Sequence, residues 1–137
     1  MSRYCLDTSA YIDALRGDRR CGMILDAAAW VGVPAIVLGE LRAGFRLGAG
    51  GAEEEARLSD FLASPTVEVV PVDDDVAACY ADIVVDLRRA GTPIPVNDVW
   101  IAACAAHTGS TVLTADAHFE RVGRIGVLAV GRQPGGS

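Results

Sequence analysis

The chain has 137 residues, 51% of them hydrophobic and 22% charged, with a formal net charge of −6. That is enough chain for one domain with a real core, and too apolar for a disordered segment. All twelve basic residues are arginine, and an acidic chain is a poor general binder of nucleic acid unless bound metal ions neutralise some of its acids.

From the N-terminus, Met1 to Ser9 lacks a basic stretch followed by an apolar run, so no signal peptide is expected. Arg3 to Leu6 reads as a short apolar strand, and Thr8 and Ser9 as caps for a helix running to about Leu15. A second helix is expected over Arg19 to Trp30 and a brief strand over Val31 to Pro34. The weakly polar stretch Ala27 to Gly39 is too short to span a bilayer and contains Pro34, which makes a cytoplasmic protein the expectation.

A third helix is expected from Ala35 to Leu47, a break at Gly48 to Gly51, and helix again from Glu53 to Ala63. Thr66 to Pro71 alternates like a strand. Asp73 to Ala90 is the clearest helix. Val76, Tyr80, Ile83 and Leu87 recur at helical spacing, acids open it and Arg88 and Arg89 close it, as the helix dipole favours. Gly91, Pro93 and Pro95 delay the next helix, expected over Asp98 to His107. Thr111 to Thr114 reads as a strand, Asp116 to Arg121 as a helical turn and Val127 to Val130 as a last strand. Strands alternating with helices predict a single α/β domain over residues 1–130, a mostly parallel sheet with helices on both faces. Residues 131–137 read as a mobile tail.

Cys5, Cys21, Cys79 and Cys104 show no metal-ligand spacing and lie among apolar neighbours, so buried thiols are expected. The acids carry more information. In open parallel sheets, sites lie outside the carboxyl ends of the strands, which is where Asp7 and Asp116 fall. On the helix after Asn97, Asp98 shares a face with Ile101, Ala102 and Ala105; Glu40 shares one with Ile36, Ala43 and Leu47. A carboxylate on an apolar flank is costly unless something positive pairs with it, and a hard divalent cation would do so through oxygen ligands. Each acid also has an ordinary reading: Asp7 and Asp116 as caps, Asp98 as a helix N-terminal charge, Glu40 as a partner of Arg42 or Arg46.

The segments LDTSAYID (Leu6 to Asp13), GEL (Gly39 to Leu41), NDVWIAA (Asn97 to Ala103) and LTADAHFERV (Leu113 to Val122) resemble, in order and spacing, those of the PIN-domain ribonucleases, most closely the VapC-type toxins. The resemblance covers nearly the whole chain. It implies a PIN-like α/β fold with an acidic site at Asp7, Glu40, Asp98 and Asp116 and accessory hydroxyls at Ser9 and Thr114. It further implies a Mg²⁺ or Mn²⁺ cofactor, an RNA substrate, homodimerisation and inhibition by a cognate antitoxin protein. Two metal ions about 4 Å apart would activate a water and stabilise the leaving oxygen of an in-line attack.

Arg42, Arg46, Arg121 and Arg124 are candidate phosphate contacts. His107 reads as a helix-end residue and His118 as a bystander near Asp116, neither placed as a general base. The acid runs Asp73 to Asp75 and Glu53 to Glu55 read as helix starts. Gly48 to Gly51 lacks the Lys and Ser or Thr of a phosphate loop. No Ser or Cys has a suitably placed histidine for covalent hydrolysis. Leu41, Phe45, Leu58 and Phe61 are expected to form a groove for an antitoxin helix. Competing functions for the same acids are a metal-dependent DNA nuclease or phosphatase, or a non-catalytic domain that binds RNA or a partner.

Overall fold

The computed structural model describes residues 2–130, so the tail expected from 131 onward lies outside it. Among the described residues the strands are β1 (Arg3–Leu6), β2 (Trp30–Pro34), β3 (Val67–Val70), β4 (Thr111–Thr114) and β5 (Gly126–Ala129). They form one sheet in the order β3-β2-β1-β4-β5, with every neighbouring pair parallel. α1 (Thr8–Leu15) and α2 (Arg19–Ala27) join β1 to β2. α3 (Ala35–Leu47) and α4 (Gly51–Leu62) join β2 to β3, and α5 (Asp74–Ala90) and α6 (Val96–Thr108) join β3 to β4. A 3-10 turn over Ala117–Arg121 precedes β5. Right-handed crossovers place α1 to α4 on one face of such a sheet and α5 and α6 on the other.

The chain runs from β1 outward to β3, then crosses back to lay β4 on the other side of β1. That reversal opens a crevice at the carboxyl ends of β1 and β4. Leu6 pairs with Leu113, and the next backbone N–H, that of Asp7, donates to the Leu113 carbonyl at 3.0 Å. The ladder therefore carries the first acid to the lip of the crevice.

Local chemistry explains the best-predicted helices. The Asp18 carboxylate accepts the Cys21 N–H at 2.9 Å and opens α2; Asp73 accepts the Val76 N–H at 3.0 Å and opens α5. Gly91, at φ 69°, closes α5 in the left-handed conformation that glycine adopts without a side-chain clash. The second helix ends at Ala27, short of the expected Trp30, because Trp30 belongs to β2. Its indole N–H donates to Glu68 at 2.9 Å across the sheet, and the Arg3 guanidinium lies 4.2 Å from its ring centroid. Three of the four cysteines are buried, and all four are free thiols. Burial pushes the Cys104 thiol up to about 12 and the Cys21 thiol up to about 11, so neither is a reactive thiolate. Among the described residues no helix is long and apolar enough to cross a membrane.

Candidate active site

Asp7 is the pivot of the crevice. It occupies the N-cap position of α1 yet makes no side-chain cap bond. Instead its Oδ2 accepts the hydroxyls of Ser9 and Thr114, each at 2.7 Å. Thr114 is fully buried at the end of β4, and its Oγ1 also accepts the Asp116 N–H at 2.9 Å. Ser9 in turn accepts the Ala115 N–H at 3.0 Å. The two hydroxyls predicted as accessory thus stitch β1 to β4 through the Asp7 carboxylate. Thr8 and Ser9 are not caps, since both hydroxyls are committed to acids of the crevice: the Thr8 hydroxyl donates to Glu40 Oε1 at 3.1 Å.

Glu40 reaches the same place from α3, by a different route from the one its sequence pattern suggests. The buried stripe of α3 is Val37, Leu38, Leu41 and Phe45, whereas Ala43 is exposed and Leu47 is 89% exposed. Glu40 therefore sits at the margin of the buried stripe. Burial pushes its carboxyl above the ordinary range; the Thr8 hydroxyl opposes that shift, and the charges of Asp7 and Asp98 reinforce it. The expected Arg42 partner pairs with Glu55 at 3.2 Å, and Arg46 is exposed. Among the described residues no cationic side chain lies within ion-pair distance of Asp7 or Glu40.

Asp98 stands in the first turn of α6, whose buried face includes Ile101, Ala102 and Ala105 as expected. Burial pushes its carboxyl up as well; a hydrogen bond from His118 opposes the shift, and the charges of Asp7 and Asp116 add to it. Asp116 is the more open acid and makes no side-chain cap bond to the turn that follows.

His118 is the residue the sequence reading missed. Far from a bystander, its Nε2 lies 2.6 Å from Asp98 Oδ2 and its Nδ1 lies 3.0 Å from Asp116 Oδ1. The usable signal was the neighbouring Phe119, which is fully buried and so fixes the turn that turns His118 toward the acids. The phosphate-contact candidates are mostly occupied. Arg121 donates to the Pro93 carbonyl at 3.0 Å, and Arg124 pairs with Asp86 on the surface. Asp73, Asp75 and His107 form a separate exposed group at the helix ends where they were predicted.

Carboxylate and hydroxyl oxygens gathered at a parallel-sheet crevice make a donor set for hard divalent cations. The PIN domain profile matches residues 4–125, which contain every one of these groups. The chain belongs to the PIN-domain family. Within it, the chain is 33% identical over 99 residues to Ribonuclease VapC4 of Mycobacterium tuberculosis, covering 72% of this chain and 76% of that one. It is 32% identical over 114 residues to Ribonuclease VapC5 of the same organism, covering 83% of each. The solved structure of VapBC-5 from M. tuberculosis, a member of the VapBC family of toxin–antitoxin systems, superposes with a TM-score of 0.70 at 28% identity, over 95% of this chain and 100% of that one. This PIN domain is accordingly a ribonuclease of the VapC type.

Proposed function

We propose that this VapC-type ribonuclease hydrolyses RNA phosphodiester bonds with a divalent cation, Mg²⁺ or Mn²⁺, held by Asp7, Glu40, Asp98 and Asp116. The observation that carries the reading is the crevice itself, where acids from four separate segments converge and two of them, Asp7 and Glu40, have no cationic partner among the described residues. Such a cluster is costly by itself and favourable around a cation. When bound, the ion supplies Lewis acidity and a water of lowered pKa for attack on phosphorus.

The chain's own groups prepare that chemistry. Ser9 and Thr114 hold Asp7 by one oxygen, Oδ2, which leaves Oδ1 for a ligand. Thr8 orients Glu40 by Oε1 in the same manner. Arg46 is exposed and free to meet a phosphate, while Arg42 and Arg121 would first have to leave Glu55 and the Pro93 carbonyl.

The same reading makes the chain the toxin of a toxin–antitoxin pair. Of the residues expected to receive an antitoxin helix, Leu41, Phe45 and Leu58 are buried in the core. Phe61 remains available and lines a cleft of about 340 Å³ with Tyr11, Ala14, Leu15 and Leu25, from α1, α2 and α4. This apolar cleft is the proposed seat of the antitoxin segment, and homodimerisation completes the reading.

The test is cleavage of RNA, DNA and small phosphate esters in Mg²⁺ or Mn²⁺ by wild type, Asp7→Asn and Asp98→Asn. RNA cleavage should fall in each folded variant by more than the roughly 10–100-fold typical of losing an outer partner of a metal ligand. Near wild-type cleavage by either variant, folded by circular dichroism, would sink the site assignment. A preference for DNA or phosphate esters would sink the substrate.

A further inference from the structure

The crevice is more than a carboxylate cluster, because the His118 imidazole lies among its acids. Asp98, Asp116 and His118 each offer a ligand atom within 4.8 Å of the other two, a spacing that one ion can bridge. His118 is not a surface side chain that happens to reach an acid. Its side chain is only 19% exposed, and the turn that carries it is anchored by the fully buried Phe119, whose ring centroid lies 5.1 Å from the imidazole. Both ring nitrogens lie against carboxylates of the crevice. In this structure both are therefore taken, Nε2 by Asp98 and Nδ1 by Asp116. A histidine that ligates a metal gives one nitrogen to the ion and keeps the other N–H on a carboxylate, which fixes the tautomer and the ring orientation. One of these two contacts would thus pass to the ion.

We propose that His118 is itself a metal ligand: the ion would replace the hydrogen bond between Nε2 and Asp98 and take both as ligands while Nδ1–H stays on Asp116, and the ring biases the site toward first-row transition ions such as Mn²⁺ over Mg²⁺. The proposal rests on the four-carboxylate reading and goes beyond it. Mg²⁺ is a hard ion that keeps oxygen ligands and several waters, so exchanging one oxygen for an imidazole favours its softer competitors.

The chain has only two histidines, which makes the test clean. Mn²⁺ is titrated into wild type, His118→Gln and Asp98→Asn, followed by electron paramagnetic resonance, with Mg²⁺ as competitor. Hyperfine spectroscopy of the bound Mn²⁺ then looks for a ¹⁴N coupling from a ligated imidazole. The expected result is a strong coupling in wild type that vanishes in His118→Gln. The Mn²⁺ affinity should fall in that variant by at least roughly tenfold, the lower end of what changes around metal ligands cost, and the Mg²⁺ affinity by less, so that the preference for Mn²⁺ declines. Glutamine can keep a hydrogen bond to a carboxylate but offers no imidazole nitrogen. A preference that survives in His118→Gln would mean that the ring only positions Asp98 or Asp116, which overturns the proposal. Mn²⁺ that binds wild type through Asp98 but shows no ¹⁴N coupling overturns it too and leaves the carboxylate reading standing. A coupling that persists in His118→Gln belongs to His107 and is equally fatal. Mn²⁺ binding that is absent, or indifferent to Asp98→Asn, overturns both. The wild-type spectrum does not depend on any variant folding.

Discussion

Hydroxyls decide the geometry of this site at the scale of single residues. Thr114 is fully buried, donates to Asp7 and accepts the Asp116 N–H, so it serves two acids at once. Thr114→Val keeps the shape and removes both bonds. Stripping partners from a buried carboxylate and a backbone N–H costs about 1–3 kcal/mol, moderated here because Ser9 still holds Asp7. Thermal melts should show that loss, and RNA cleavage should fall roughly 10–100-fold, as for other changes one shell out from a metal ligand. A variant as stable and as active as wild type would show that these bonds orient nothing. The acids were legible in the sequence because strand ends and a helix face place three of them without tertiary detail. The link from Thr8 to Glu40 and the seat of His118 were not. Each joins segments far apart in the chain, 32 residues for Thr8 and Glu40 and 20 for His118 and Asp98, and no local periodicity reports such a meeting.

Hydrophobic periodicity predicted the elements well wherever one face alone is apolar. α5 came out within a residue of its bounds because its stripe, its acidic cap and its terminal glycine agree. α3 misled, since Ile36, Ala43 and Leu47 also form an apolar row, and only packing selects the row through Val37, Leu41 and Phe45. The α3–α4 junction shows how tight that packing is. A Cβ added at Gly51, the first residue of α4, would lie 2.4 Å from the Phe45 carbonyl oxygen, a backbone atom that cannot swing aside. Gly51→Ala should therefore destabilise by about 1–3 kcal/mol, the usual cost of overpacking, although alanine is the better helix former. Denaturant melts that show the variant unchanged or stabilised would mean that the junction opens freely. RNA cleavage at a temperature well below the melt should change little, because Gly51 touches none of the crevice acids.

For the whole molecule, the sheet order is what brings distant segments to one crevice, and the stability of the fold is thereby tied to the charge it gathers there. Burial raises the carboxyls of Glu40 and Asp98 from ordinary values of 4.5 and 3.8. In the metal-free protein the folded state thus binds these protons more tightly than the unfolded chain does. The penalty for ionising them is absent at low pH, begins as pH passes the unfolded values and is complete above the raised folded ones. Metal-free protein in EDTA should accordingly carry more of this penalty at pH 7.5 than at pH 5. Glu40→Gln isolates the effect, because its amide oxygen can still accept from Thr8 while the charge facing Asp7 and Asp98 is gone. In EDTA at pH 7.5 the variant should melt higher than wild type, and the gap should narrow toward pH 5. Added Mg²⁺ or Mn²⁺ reverses the order. At a hundredfold excess over its dissociation constant, a ligand that binds only the folded state stabilises it by about 2.7 kcal/mol. Wild type should collect that gain, while Glu40→Gln, short of one anionic oxygen ligand, should collect less. Melting curves of both proteins at the two pH values, with and without metal, decide the matter. A wild type that metal leaves unmoved, together with a Glu40→Gln variant that melts lower in EDTA, would mean that the acids are balanced by the protein alone and that the crevice holds no cation.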